Sequence, residues 1–144
     1  MNSSDTASNA RNDEHACFST VLRFFGALDR GDADGCASLM AKQGVWDRQG
    51  KKLQGPDGVR EAVSQRVASR RTAHTISNLL FEPVGADRAK VTFLLVAYEA
   101  TLEEGAAAAP VGKLAGIRQC TDVFVREDGA WRIEDKSTVA WMRG

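Results

Sequence analysis

The apolar residues early in the chain recur at helical spacing. From near Asp13 to Asp29 they fall at i, i+3, i+4 and i+7, which predicts a helix whose buried face carries Phe18, Val21, Leu22, Phe25 and Leu28. Gly31 is expected to end this helix. Asp32 can then cap a second, shorter helix with an apolar face of Cys36, Leu39 and Met40.

A short strand and a third helix are predicted next. Residues 44–47 have the pattern of a strand, and residues 50–55 have that of a polar turn. Pro56 suits the first turn of a helix, because the N–H that proline lacks would have no partner there. The apolar residues of this third helix again have helical spacing, and they are Val59, Ala62, Val63 and Val67. We expect the helix to end at the basic pair Arg70 and Arg71.

From Thr72 onward the pattern becomes that of strands. Four strand-like segments follow, at residues 72–84, 89–102, 114–126 and 131–141. Turn sequences at 85–88 and 127–129 join them into two hairpins, and the alanine-rich segment 103–112 is predicted to be a loop. Helices packed on one face of an antiparallel sheet make an α+β fold. If the sheet curls, three helices and its concave face enclose a pocket.

The second of these strands is apolar on both faces over residues 91–98. A strand in an antiparallel sheet with one buried face should alternate instead. We therefore expect helices to cover one face and another subunit to cover the other, which predicts a homodimer formed through the sheet.

The charges of the chain balance. Its 144 residues include 19 Lys and Arg and 19 Asp and Glu, which disfavours nucleic acid or an anionic membrane surface as the main partner. No apolar run has the length of a membrane span. We expect a flexible N-terminal segment at 1–12, a single domain at 13–144 and a cytoplasmic location. Three widely spaced cysteines, with no CxxC motif or Cys/His cluster, disfavour a structural zinc site, and they are Cys17, Cys36 and Cys120.

Histidine can exchange a proton near neutral pH, and the chain has two of them. His15 lies in the polar N-terminal stretch, whereas His74 lies at the start of the first long strand and is a candidate acid or base. A lone histidine in a strand is more often a packing residue. Asp29 lies on the apolar stripe of the first helix, where a carboxylate is costly unless it is paired, so it is the natural partner for His74. Asp29 could instead cap the turn that it begins.

Further polar and aromatic residues could complete a site. Asp122 lies in an otherwise apolar strand, where it could act as a base or pair with Arg118 or with a neighbouring strand. Tyr98, the only tyrosine, could donate to a developing oxyanion or be a half-buried strand residue. Asn78 shares the strand parity of His74 and could orient a ligand carbonyl. A pocket wall is expected from Trp46, Phe25 and Met40.

Five segments in this order resemble the SnoaL-like branch of the NTF2-like superfamily, whose fold is a cone-shaped α+β barrel. They are ALDRGD at 27–32, GVWD at 44–47, GPDGVR at 55–60, HTISN at 74–78 and DVFVREDGAWRI at 122–133. In dehydratases and a dehydrochlorinase of the superfamily, an aspartate at the end of the first helix orients a strand histidine that removes a proton from the substrate. Asp29 and His74 match those two positions.

The resemblance implies a cofactor-independent isomerase or dehydratase-type lyase acting on a small apolar, cyclic or carbonyl-bearing substrate. Dehydratases that polarise a carbonyl through two tyrosines are not matched, because Tyr98 has no tyrosine companion. Other members of the superfamily only bind ligands or partners, or serve as small subunits of ring-hydroxylating dioxygenases. A non-catalytic ligand-binding or accessory domain and a structural protein of the dioxygenase type are therefore the alternatives.

Overall fold

The computed structural model describes the backbone of residues 3–144 and the side chains from residue 9 onward. Three helices and six strands follow one another along the chain: α1 Ser3–Asp29, α2 Ala33–Ala37, β1 Met40–Arg48, β2 Lys51–Gln54, α3 Gly55–Ser64, β3 Arg70–Gly85, β4 Arg88–Thr101, β5 Lys113–Glu127 and β6 Ala130–Arg143. The strands form one sheet in the order β2-β1-β6-β5-β4-β3. The expected α+β architecture is confirmed.

The sheet is mixed rather than purely antiparallel. β1 runs parallel to β6, while every other neighbouring pair is antiparallel. The parallel pair results from the path of the chain. β1 follows α2 and lies beside β6, which is the last strand of the meander formed later in the sequence. The four long strands match their predicted ranges to within a few residues, and segment 103–112 is a loop, as predicted.

The first helix begins at Ser3, whereas the pattern predicted a start near Asp13. It ends at Asp29 as expected, with Gly31 in the left-handed conformation at φ +70°. The Oδ1 atom of Asp32 accepts a hydrogen bond of 2.9 Å from the backbone of Gly35, which confirms the predicted cap of α2. Leu22 was expected to be buried but is 50% exposed, because the buried stripe runs through Cys17, Val21, Phe24, Phe25 and Leu28.

Three local predictions in the middle of the chain are wrong. Residues 50–55 contain the short strand β2, whose Leu53 is buried against the core. Met40 starts β1 instead of lying on the second helix. The third helix ends at Ser64, so Val67 lies beyond it and is exposed, and Arg70 opens β3. The errors at Met40 and Val67 arise where a short apolar pattern fits more than one structure, whereas β2 was missed because Leu53 is the one apolar residue in that strand.

The core lies between the helices and one face of the sheet. In β4 the buried residues alternate strictly, and they are Ala89, Val91, Phe93, Leu95 and Ala97. The residues between them, including Leu94 and Val96, are half-buried on the opposite face. This alternation is that of a strand with one face covered within the chain. Among the described residues, no helix is long and apolar enough to cross a membrane.

Candidate active site

The last residue of α1 and the start of β3 form a close aspartate–histidine pair. Nδ1 of His74 lies 2.5 Å from Oδ1 of Asp29, and the backbone N–H of His74 donates to Oδ2 at 2.9 Å. The side chain of His74 is 10% exposed and that of Asp29 is 22% exposed. The structure therefore brings together the two residues that the sequence singled out, and it fixes the carboxylate against both the ring and the backbone of His74.

Asp29 is held as a carboxylate. Burial alone would raise the pKa of Asp29, but hydrogen bonds from the His74 ring, the Thr72 hydroxyl and the His74 backbone outweigh it and lower the pKa below 3.8. An ionised carboxylate only accepts hydrogen bonds, so Nδ1 of His74 carries the proton of the pair. The lone pair of neutral His74 then lies on Nε2, for which no described residue is a hydrogen-bond partner.

Two further residues support the carboxylate from behind. The hydroxyl of Thr72 donates to Oδ1 of Asp29 at 2.7 Å, and Nη2 of Arg66 donates to that hydroxyl at 2.9 Å. Nη1 of Arg66 donates to the carbonyl of Leu28, the residue before Asp29. A chain of hydrogen bonds thus runs from Arg66 through Thr72 to the pair. Neither residue was predicted from the sequence, although Thr72 shares the strand parity of His74.

His74 borders a small cavity of about 70 Å³. Its apolar wall includes Phe25, Trp46 and Leu95, and the ring of Phe25 lies tilted against His74 with the ring centroids 5.1 Å apart. Tyr98 also lines the cavity, although the residue is 45% exposed. Phe25, Trp46 and Tyr98 are therefore placed where the sequence predicted pocket residues.

Four arginines line the same cavity, and none of them was predicted from the sequence to be a site residue. They are Arg48, Arg66, Arg70 and Arg118. Three of these extend a buried face of a strand by one pleat, because Arg48 follows Trp46, Arg70 precedes Thr72 and Arg118 precedes Cys120. Strand parity could have found those three. Arg66 lies in the connection after α3, in a stretch that the apolar pattern assigned to the third helix.

Asp122 lies in the core and pairs with Lys136 on the neighbouring strand. Nζ of Lys136 lies 2.9 Å and 3.2 Å from the two carboxylate oxygens, and both residues are at most 1% exposed. Burial raises the pKa of Asp122, and the charge of Lys136 opposes that rise. Asp122 is not among the residues that line the cavity, and its partner is Lys136, not Arg118. The structure does not bring Asp122 to His74.

Two predicted ligand-binding residues lie away from the cavity lining. Met40 is buried in the core at the start of β1. Asn78 is exposed, with a left-handed backbone at φ +56°. It lies in a bulge, because three steps along β3 from Ser77 to Leu80 match two steps along β4. The bulge reverses which residues face inward, so the strand parity that linked Asn78 to His74 does not hold.

The three cysteines are buried as free thiols, and burial raises the pKa of each to about 12. A thiol with such a pKa is a poor nucleophile at neutral pH. Within the part of the chain that the structure describes, no cluster of three or more His, Cys, Asp or Glu side chains could hold a metal ion. Besides the arginines, the titratable residues that line the cavity are Asp47, His74, Tyr98 and Glu99, and His74 is the one that is hydrogen-bonded to the carboxylate of Asp29.

Known structures share this fold at low sequence identity. An NTF2-like protein with a cystatin-like fold from Novosphingobium aromaticivorans superposes with a TM-score of 0.76 at 16% identity, covering 97% of this chain and 90% of that one. A scytalone dehydratase-like protein from the same organism gives 0.74 at 17% identity, with 96% and 90% covered. The type 3 hexachlorocyclohexane dehydrochlorinase of Novosphingobium barchaimii gives 0.74 at 20% identity, with 97% and 90% covered.

Sequence comparisons place the chain more specifically. No curated protein matches it significantly. A family model described as a SnoaL-like domain matches residues 9–136, which is most of the chain and includes both Asp29 and His74. With the six-stranded curved sheet and its three helices, this match identifies the chain as a member of the SnoaL-like family within the NTF2-like superfamily.

Proposed function

We propose that this protein is a cofactor-independent lyase or isomerase that removes a proton from a small cyclic, carbonyl-bearing substrate. The observation that carries the proposal is the hydrogen bond between Asp29 and His74 at the edge of a cavity. A proton on Nδ1 leaves the Nε2 lone pair free to act as a base. Two of the similar structures are named as a dehydratase and a dehydrochlorinase, and both names describe eliminations, which supports a reaction of this class.

The proposed reaction begins when Nε2 of His74 takes a proton from carbon next to the substrate carbonyl. The electron pair of the broken C–H bond moves into the carbonyl and forms an enolate. Asp29 stabilises the imidazolium that results, because its carboxylate accepts from Nδ1. In an elimination, the enolate re-forms the carbonyl and expels hydroxide from the next carbon as a C=C bond forms, and the imidazolium of His74 gives its proton to the hydroxide to form water. In an isomerisation, His74 returns the proton to a different carbon.

A neutral-pH screen of cyclic ketones and β-hydroxy ketones tests the proposal. We compare wild type with His74→Ala and Asp29→Asn, and with His15→Ala as a control for loss of an exposed histidine. Removal of a positioned base is expected to reduce turnover by about 10²–10⁴-fold in His74→Ala. Turnover in His74→Ala equal to that of wild type would exclude His74 as the base. Binding of the same ketones without turnover in wild type would favour the ligand-binding alternative.

We also propose that the protein forms a homodimer through the outer face of the sheet. Several large apolar residues on β4, β5 and β6 are exposed or half-buried in the single chain, and they include Leu94, Val96, Ile117, Val139 and Trp141. Light scattering should give twice the mass of the chain, and Val139→Lys should shift that mass towards the monomer. Co-purification with a large subunit instead would favour the dioxygenase-type alternative.

The buried free thiols suit the cytoplasmic location that we propose, and fractionation of the source cells checks it.

A further inference from the structure

The lining of the cavity carries more positive than negative groups. Four arginines contribute to it, against the carboxylates of Asp47 and Glu99. Only one of the four arginines forms an ion pair with a described carboxylate: Nε of Arg70 lies 2.8 Å from Glu99. Asp47 accepts a hydrogen bond from the backbone of Gly50, which caps the turn between β1 and β2. The lining therefore keeps a net positive charge, and neither Arg48 nor Arg118 forms an ion pair with a described carboxylate.

Arg48 and Arg118 are held in place by neutral groups. The guanidinium of Arg48 lies 5.3 Å from the ring centroid of Trp46, as in a cation–π contact. With its amide oxygen turned towards Arg118, Gln49 accepts hydrogen bonds of 2.7 Å and 3.2 Å from that guanidinium. Both arginines are only partly exposed. Neutral partners fix the direction of the two guanidinium groups while leaving their charge available to a ligand.

The proximity of the arginines is unfavourable without an anion. Burial lowers the pKa of Arg48, and the charges of Arg70 and Arg118 lower it further. Burial likewise lowers the pKa of Arg66, again with contributions from Arg70 and Arg48. The Nε atom of Arg66 is buried without a hydrogen-bond partner. An anion between these guanidinium groups would relieve their repulsion and accept hydrogen bonds from N–H groups that have no other partner.

We propose that the substrate carries a carboxylate, which Arg48 and Arg118 bind in the cavity beside His74. This inference rests on the proposed function, because it names the class of substrate for the same site. The forked guanidinium group matches a carboxylate with two parallel hydrogen bonds. The apolar body of the substrate then packs on Trp46 and Phe25, which leaves its reactive C–H bond towards His74.

Binding of benzoate, followed by NMR, tests the inference without requiring turnover. The chain has three tryptophans, of which Trp46 lines the cavity, while Trp131 donates to Asp13 and Trp141 is 68% exposed. Benzoate should shift the indole N–H signal of Trp46 and leave that of Trp131 in place. Benzamide, which is neutral and has nearly the same shape, should bind at least about tenfold more weakly. Equal affinity for benzamide would overturn the inference.

Variants and a second oxyanion separate the remaining explanations. Arg48→Gln and Arg118→Gln should each weaken benzoate binding by about tenfold or more, since each removes a charged hydrogen-bond donor. Arg23→Gln, at an exposed position on α1 outside the cavity, should keep the wild-type affinity. Wild-type affinity in both cavity variants, or tighter binding of phenyl phosphate than of benzoate, would overturn the assignment.

The same titration distinguishes failure of this inference from failure of the proposed reaction. His74→Asn should bind benzoate within about twofold of wild type, because the carboxylate contacts the arginines rather than the imidazole. Loss of benzoate binding in His74→Asn, with Trp131 still in its folded environment, would place the anion at the histidine and overturn the inference. Retained benzoate binding together with undiminished turnover in His74→Ala would refute the proton abstraction and leave the anion site standing.

Discussion

The buried ion pair between Asp122 and Lys136 gives the sharpest stability prediction. Replacing Lys136 with Met keeps a side chain of similar length and leaves the carboxylate of Asp122 without its cation. In the wild type that cation also lies 4.3–5.5 Å from the ring centroids of three phenylalanines, Phe24, Phe25 and Phe93. The substitution therefore removes charge from the core with little change in packing.

The magnitude follows from the burial of both partners, which are 1% and 0% exposed. An uncompensated carboxylate at such a site typically lowers the free energy of unfolding by about 3–5 kcal/mol. Replacing both partners, as Asp122→Leu with Lys136→Met, removes the buried charge altogether and should restore stability to within about 1 kcal/mol of wild type or above it. Since m in urea is about 1–3 kcal/mol/M, the single variant should unfold at a midpoint lower by roughly 1 M or more.

Urea denaturation at several pH values makes the test complete. Without Lys136, the pKa of Asp122 in the folded protein lies above its ordinary value, because burial disfavours the charged form. The contribution of Asp122 to stability in the variant is then most favourable below the ordinary pKa of an aspartate and is lost as the pH rises through the raised pKa. Lys42→Met is the matched control, because Lys42 is 76% exposed beside Asp128 and its loss should cost about 0.5 kcal/mol or less.

A double variant no more stable than Lys136→Met would refute this reasoning, because it would show that the unpaired charge is not what destabilises the single variant. The double variant also tests the catalytic prediction for Asp122. A base that acts on the substrate cannot be replaced by Leu, so turnover retained in the folded double variant would assign Asp122 a structural role. Loss of turnover with restored stability would support a role for Asp122 as a base in the reaction.

Three further predictions concern the Asp29–His74 pair and the bulge. Because the pKa of Asp29 is lowered on folding, its contribution to stability is present above pH 3.8 and is lost as the pH falls through the folded pKa; urea denaturation should show a smaller acid loss in Asp29→Asn than in wild type, and identical losses would contradict this. Thr72→Val should lower the free energy of unfolding by about 1–3 kcal/mol, because it leaves Arg66 and Asp29 without their shared hydroxyl, whereas Thr72→Ser should not. In the same assay Asn78→Ala should cost about 1 kcal/mol relative to Asn78→Gly, since a left-handed residue with a Cβ is strained, and equal stabilities would argue against that backbone conformation.

The ends of the helices and the four long strands could be predicted because each depends on residues that are close together in the sequence. Gly31 and Asp32 end one helix and cap the next, and Pro56 opens the third, so these boundaries depend on a few residues in sequence. Each of the four long strands extends over 14 to 16 residues, which is long enough for its strand-like pattern to be recognised. β2 and the parallel pairing of β1 with β6 could not be predicted, because a strand of four residues has little pattern of its own and parallel pairing depends on the rest of the sheet.

Strand parity explains both the success and the failure at the site. Asp29 was found because a carboxylate on an apolar helical stripe requires a partner, and His74 supplies it. Asn78 was misplaced because one extra residue in β3 reverses the inward face, and a bulge leaves no regular signal in a single sequence. Arg48 was overlooked although parity placed it inward, because a charged residue at the end of a strand is usually solvated. Arg118 lies within β5 and was considered only as a partner for Asp122.

The inward arginines change what the apolar wall means. Phe25, Trp46 and Leu95 alone would suit any hydrophobic ligand, and such a wall discriminates weakly between molecules of similar size. Arg48 lies one pleat beyond the buried Trp46 in β1, and Arg118 lies one pleat before the buried Cys120 in β5. An anionic group bound by these two arginines would orient the rest of the ligand towards His74. Orientation of the reacting carbon is itself a large part of catalysis. Wild type should therefore turn over a neutral ketone more slowly than the matching keto acid. This difference in turnover between the two substrates should disappear in Arg118→Gln.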